Sequence, residues 1–391
     1  MKPFYLLSFS VFLFFSCNKD NDNAPSLVDS NFTAKEILAS SATAKLGDVE
    51  FDARNNRISW QTIDDHSLWV CKIDPVTGVL AVPDGKQTLI DASIAPLTTT
   101  YNSGEWAFSQ AGTAIVYGKI ISNKFYIAIA AESGNTWTLN TLTGNPNRFN
   151  PRATKNHNDA VAAMLYLPYP GTGTTYYKGL NNVNNEFTIA NFKDAHWAED
   201  EQLLTGILPN NQVGLFNPSS PAAPIQLTFN SGTTYSRPYM WRAPEYGNAR
   251  MFFTKANGTQ IQVFKETTQG SNQYTLFQTF TSPSANASFS YIASPEPFIY
   301  KGKSYISFMA SPSALETSGL PAEIWFAGIS ATAPLFRKVS DDASKVRTDP
   351  ETYATSTNLY IYYTEVNDSA SPDNTLDPTT ILTLRRCETG L

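Results

Sequence analysis

Five glutamates stand beside an aromatic residue, or two residues from one, at near-even intervals: Glu50-Phe51, Glu105-Trp106, Glu245-Tyr246, Glu296-Pro297-Phe298 and Glu351-Thr352-Tyr353. Trp197-Ala198-Glu199 carries the pair in reverse, and Asn150-Pro151-Arg152 puts a cation in the same place. Carboxylates brought together can hold a hard cation, accept hydrogen bonds from sugar hydroxyls, or divide into acid and base for glycoside hydrolysis. Glu105, Glu199, Glu245, Glu296 and Glu351 are the candidates for such a funnel, with Asp64 or Asp65 as a base if the chemistry is hydrolytic. A catalytic acid should be singular, and this one recurs from unit to unit. The plainer alternative is structural. Arg152, Arg237, Arg242 and Arg347 lie near the same place in their units and could neutralise carboxylates that would otherwise repel one another.

Other chemistry is sparse. Tyr235, Tyr239 and Trp241 cluster with Arg237 and Arg242, a mixture suited to stacking on sugar rings, anchoring a protein partner, or packing between units. His66, His157 and His196 fall in different units, so they form a metal site only if three loops open on one face. No Gly-x-Ser-x-Gly elbow, Gly-rich phosphate loop or His-Glu-x-x-His occurs. The 391 residues carry 28 Lys and Arg against 34 Asp and Glu, a net charge of −6 that gives nucleic acid no footprint. With 3 His and 3 Cys, no cofactor is expected, and any metal would be calcium or magnesium held by oxygen rather than zinc.

The elements that must position these residues follow from the spacing. The marks at 50, 105, 152, 199, 245, 296 and 351 are 55, 47, 47, 46, 51 and 55 residues apart, which is an internal repeat. After each comes a run of β-formers: 57–62, 113–117, 160–167, 203–208, 250–254, 304–309 and 359–364. A further set recurs at 68–73, 125–129, 174–178, 212–216, 260–265, 323–327 and 380–384, and most units add a fourth, such as 136–139, 224–229 and 334–339. Four short strands in each unit of about 40 to 50 residues predict an all-β propeller. Seven blades fit best and six come second. The last unit ends without a fourth strand, and 35–39 (KEILA) precedes the first unit unpaired, so an N-terminal strand is predicted to close the ring.

One join between units gives the architecture a family likeness. Pro224-Ile225-Gln226-Leu227-Thr228-Phe229, then Arg237-Pro238, Ala243-Pro244-Glu245-Tyr246 and Met251-Phe252-Phe253-Thr254, resembles a repeat junction of TolB-like (PD40/WD40-like) propellers. Ser109-Gln110-Ala111-Gly112-Thr113 is similar to the turn those repeats write as Ser-Pro-Asp-Gly-Lys. The likeness implies a fold and leaves function to the site. Separately, Ser294-Pro295-Glu296-Pro297-Phe298 resembles the acid-bearing strand of five-bladed glycosidases.

The N-terminus reads as an address. Lys2 and the apolar run from Phe4 to Phe15 describe a signal peptide over 1–16, too short for a bilayer-spanning helix. Phe14-Phe15-Ser16-Cys17 resembles a relaxed bacterial lipobox with Cys17 as the acylated residue. The polar run 18–23 looks like the signal that sends some Gram-negative lipoproteins to the outer face of the outer membrane. Residues 17–31 then form a tether and 32–391 a single domain, placed at the outer membrane and facing outward or into the periplasm. Cys71 and Cys387, in the third strands of the first and last units, could pair across the closure. The expected role is a non-catalytic binding or scaffold propeller for a polysaccharide or protein partner. A carbohydrate-active enzyme using the axial carboxylates is the alternative.

Overall fold

In the computed structural model the described residues are 27–97, 104–142, 144–169, 173–180, 185–198, 202–315, 319–332, 334–341, 344–366 and 380–391. The signal segment, Cys17 and Glu199 lie outside them. Seven antiparallel sheets follow one another along the chain as the blades of a propeller. From inside out, blade 1 is Leu46–Asp52, Arg57–Thr62, Leu68–Lys72 and Thr88–Asp91. The inner strands of blades 2 to 7 are Glu105–Ser109, Arg148–Ala153, Lys193–Trp197, Tyr235–Ala243, Tyr291–Tyr300 and Arg347–Ala354. Every second and third run predicted from composition overlaps a strand, and 57–62 coincides with one.

The ring closes as expected. Glu36–Leu38 pairs antiparallel with Leu382–Glu388 as the outer strand of blade 7, with Glu36 opposite Cys387. A second clasp comes earlier in the chain, where Leu27–Val28 adds a parallel fifth strand to blade 6 against Leu335 and Phe336. Asp29 then bonds Arg337 at 3.0 Å, and the Arg337 guanidinium lies over Phe32. A buried ion cluster joins the two ends of the blade 7 sheet. Arg347, on its inner strand, reaches Glu36 at 3.3 Å, Glu365 at 3.1 Å and Asp341 at 3.1 Å.

The core is divided among the seams. Seven apolar clusters each span two adjacent blades, because a twisted four-stranded sheet is apolar on both faces and must bury each against a neighbour. Trp60, Tyr362 and Cys71 fill the seam between blades 7 and 1, while Cys387 packs with Phe326 and Tyr363 between blades 6 and 7. The two cysteines therefore sit on opposite faces of blade 7, and both are free thiols. Burial pushes the Cys387 thiol up to about 12.

Polar stitches cross the same seams. Ser59 donates to the Gly104 carbonyl at 3.4 Å, Thr205 to Pro238 at 2.8 Å and Ser307 to Pro350 at 3.3 Å. Trp106 Nε1 donates to the Glu50 carbonyl and Trp197 Nε1 to that of Arg152, both at 3.0 Å. Each bond runs between one blade and the inner strand of an adjacent one, or for Gly104 the residue just before it, and so ties neighbouring blades together near the axis.

Candidate functional site

Six inner strands carry the same irregularity. The pairing slips between Gly47 and Glu50, Phe149 and Arg152, Lys193 and His196, Ser236 and Tyr239, Ala293 and Glu296, and Thr348 and Glu351. Within each slip one residue has a positive φ: Asp48, Asn150, Asp194, Arg237, Ser294 and Asp349. Asn and Asp tolerate that conformation better than most side chains, and such a bulge re-aims the residues after it. In four cases the next residue is proline, at 151, 238, 295 and 350. Proline lacks a ladder donor, and the innermost strand is an edge where none is needed.

The residue after each bulge, together with Glu105 of blade 2, forms a ring around the channel: Glu50, Glu105, Arg152, His196, Tyr239, Glu296 and Glu351. The contacts run from neighbour to neighbour. Arg152 donates to His196 Nε2, the His196 and Tyr239 rings meet tilted with centroids 3.9 Å apart, and Tyr239 donates to Glu296 Oε1 at 3.5 Å. Blades 6, 7, 1 and 2 thus contribute a carboxylate arc, faced by Arg152, His196 and Tyr239.

One cation serves part of that arc. Lys155 follows the inner strand of blade 3 and places Nζ 3.4 Å from Glu50 and 3.3 Å from Glu105. Its loop is tied down over blades 1 and 2. Gln110 donates to the carbonyls of Asn158 and Asp159 at 2.8 Å each, and Arg54 reaches His157 Nδ1 at 3.0 Å. The electrostatics follow from crowding. Burial, then the charge of Glu105, holds the Glu50 carboxyl well above the ordinary carboxylate range, against the pull of Lys155. Burial, then Glu296 and Glu50, does the same to Glu351. Crowding in the channel desolvates Lys155, whose side chain is still 40% exposed, and opposes its charge, but Glu50, Glu105 and Glu351 outweigh this and raise its affinity for the proton. Burial, with Arg152 and Arg237 nearby, pushes His196 well below its usual value and keeps it neutral. Burial, then Glu296, raises the Tyr239 phenol.

Of the residues singled out by sequence, Glu105, Glu296, Glu351 and Tyr239 share this ring, and Glu199 lies outside the described residues. Glu245 does not join it. It belongs to a short 3₁₀ turn, Pro244–Tyr246, beyond the inner strand of blade 5, where it accepts from Ser304 N at 2.7 Å and Ser304 Oγ at 3.1 Å. Trp241 is buried between blades 5 and 6 and donates to Ser304 Oγ, so it presents no stacking face. Arg242 donates to the Asn248 carbonyl at 3.1 Å in its own blade. Arg347 neutralises Glu36 and Glu365 in blade 7 rather than the channel carboxylates. Asp64 pairs with Lys45, and Asp65 accepts from Ser67 N and Thr62 in the same turn. His66, His157 and His196 stay apart, and among the described residues no group of three or more His, Cys, Asp or Glu is placed to hold a metal ion.

Sequence reasoning left Glu50 out of the funnel, weighed His196 only as one of three histidines in different units, and passed over Lys155. A signal for His196 existed: it precedes Trp197 as Glu105 precedes Trp106, and both indoles bond the ring residue of the preceding blade. Lys155 had no such mark.

No family model matches the chain, and no curated protein matches it. Solved structures do. The β-propeller domain of Cps50 (Swd1) from Myceliophteria thermophila superposes with a TM-score of 0.55 at 8% identity, over 90% of this chain and 99% of that one. A protein from Lactobacillus plantarum gives 0.51 at 14% identity over 90% and 99%. YCF48 bound to D1 peptide gives 0.51 at 10% identity over 94% and 98%. Identities this low establish the propeller fold alone.

Proposed function

We propose that this chain is a TolB-like binding or scaffold propeller carried on an outer-membrane lipoprotein, with Cys17 as the acylated residue and the channel as its ligand site. The observation that carries the binding role is the lopsided ring, in which a carboxylate arc on four consecutive blades faces Arg152, His196 and Tyr239. A rigid, closed ring that gathers opposed charge types at one place suits recognition, since the groups are preorganised and lose little freedom on binding. A protein partner is one class of occupant, since YCF48, similar to this chain in fold, binds a peptide.

Topology supports the anchored arrangement. The chain joins the ring at Leu27 beside Leu335, at the end of blade 6 where the inner strand finishes. The bulges lie at the other end, where inner strands begin. A tether entering there leaves the bulged mouth on the far side from the point of attachment. No helix among the described residues is long and apolar enough to cross a membrane.

Two measurements test this reading. Replacing Cys17 by Ala should abolish acylation and move the protein out of the outer-membrane fraction, and unchanged fractionation would refute the anchor. Retention of the purified protein on a panel of outer-membrane and extracellular polysaccharides and on surface-protein fractions tests binding, and no retention on any of them would refute it. A glycosidase is the second reading, favoured by the raised Glu50 and Glu351 carboxyls, since a general acid must keep its proton at working pH. Reducing-sugar release that disappears with Glu351→Gln while the fold persists would decide for it.

A further inference from the structure

The connection after the inner strand of blade 3 differs from the others. At the end of the channel where inner strands finish, the links to the second strands are 53–56, 110–111, 198–203, 244–248, 301–302 and 355–358. Blade 3 uses 154–162, the longest of the seven. The extra chain runs back over the two preceding blades. On blade 2, Phe108 N donates to the Thr154 carbonyl at 3.2 Å, and the Phe108 and His157 rings lie 4.3 Å apart. Gln110 then donates to the Asn158 and Asp159 carbonyls at 2.8 Å each. On blade 1, Arg54 reaches His157 Nδ1 at 3.0 Å.

This loop delivers one charged group into the channel. Lys155 Nζ lies within 3.4 Å of Glu50 and 3.3 Å of Glu105, and Glu351 and Glu296 of blades 7 and 6 add to the pull on its charge. An ammonium carried from blade 3 is therefore drawn by all four members of the carboxylate arc, the place a cationic guest would take. Its hold is light. From 155 to 161 no residue of the loop is buried, the Lys155 side chain is 40% exposed, and the fastenings to Gln110 and Arg54 are polar bonds at the surface. Segments with few buried apolar contacts open at low free-energy cost. One positive charge also leaves the arc under-neutralised, and burial with mutual repulsion still holds Glu50 and Glu351 above the ordinary carboxylate range.

We propose that loop 154–162 is a self-inhibitory plug: Lys155 fills the cation place of the carboxylate arc, and a guest bearing an alkylammonium group gains the arc by displacing it. The proposal rests on the channel being the binding site, as argued above, and adds how that site is occupied at rest. The plug sets a threshold. A guest binds with its intrinsic affinity multiplied by the fraction of molecules whose loop is open, so weakening the fastenings strengthens binding without touching the arc.

The test uses the full chain, purified in detergent, with propylammonium chloride as the probe and 1-propanol and sodium chloride as controls of matched shape and ionic strength. Lys155→Ala vacates the place and should melt below wild type. Propylammonium should restore part of that deficit, rising with the logarithm of its concentration as expected of a ligand that binds only the folded state. Wild type should bind the probe at least about tenfold more weakly than Lys155→Ala, because its own lysine must leave first. The double change Arg54→Ala, Gln110→Ala keeps Lys155 and loosens only the loop, so its affinity should fall between the two. Amide hydrogen exchange across 155–161 of wild type should quicken as the probe is added, since a displaced loop loses its fastenings. No rescue of Lys155→Ala, rescue by either control, equal affinity in wild type and Lys155→Ala, or unchanged exchange in the loop would overturn the proposal. If the probe fails while retention on a polysaccharide or protein partner persists, the plug falls and the binding role stands. If retention fails too, both fall.

Discussion

Replacing Lys155 by Met keeps the aliphatic stem and removes the cation held against Glu50 and Glu105. At 3.4 and 3.3 Å, each attraction is worth about 5 kcal/mol at an effective dielectric of about 20. Both carboxylates touch the same nitrogen, so their oxygens lie within about 7 Å of one another and repel by roughly 2.4 kcal/mol on the same scale. Channel water screens these values heavily, because the Lys155 side chain is 40% exposed. A realised loss of about 2–4 kcal/mol is expected, nearer to a partly buried pair than to a surface one. With an unfolding entropy of about 2 cal/mol/K per residue, that lowers the melting temperature by roughly 3–5 °C in a chain of this length. The sign with pH is fixed. Glu50 has a raised folded-state value, so its contribution to stability is fully present below the unfolded carboxyl range and is lost as pH rises through the folded value. The Lys155→Met deficit should be largest near pH 8 and shrink as pH falls toward 4.5. Adding Glu50→Gln should recover much of it, giving a double-mutant coupling well above zero. Thermal melts by circular dichroism at pH 8 and pH 5, in low salt, measure all of this. A Lys155→Met protein that melts within about 1 °C of wild type at pH 8, or strictly additive effects of the two changes, would refute the reasoning.

Arg347→Met leaves the buried Glu36 and Glu365 to share Arg385 alone and should cost about 2–3 kcal/mol, whereas adding Glu36→Gln should recover part of that, as read by chemical denaturation. Deleting 27–38 removes both the closing strand of blade 7 and the fifth strand of blade 6, and should expose the Cys387 thiol to a reagent that barely labels the intact ring. Glu245→Gln keeps an acceptor for Ser304 and loses only the charge assistance, so it should destabilise by about 1 kcal/mol and leave any channel ligand unaffected.

The blades were legible in the sequence because a strand's apolar run is imposed by burial in a seam, and every seam makes the same demand. Runs such as 250–254 and 359–364 therefore recur whatever the blade does. The closing strand was legible for the same reason, as one unit lacked a partner that another segment had to supply. The ring was only half legible. Its positions are set by backbone conformation, and the side chain there is free to be Glu, Arg, His or Tyr. The better marker was the triplet around each bulge: Asn150-Pro151-Arg152, Arg237-Pro238-Tyr239, Ser294-Pro295-Glu296 and Asp349-Pro350-Glu351. Counting Glu beside an aromatic found Glu296 and Glu351 but took Glu245 for Tyr239, six residues away on the same segment. Lys155 escaped because its reach depends on a loop folded over two other blades, a tertiary relation with no local pattern.

The claim that these seven positions share one channel is tested most directly by titrating the glutamate side-chain carboxyls by carbon-13 NMR, with Glu50 and Glu351 assigned from their Gln variants. Both should titrate above 4.5, Glu50 should move higher still in Lys155→Met, and Glu351 should fall when Glu50 is replaced by Gln. Ordinary values for both, indifferent to each other and to Lys155, would contradict the account.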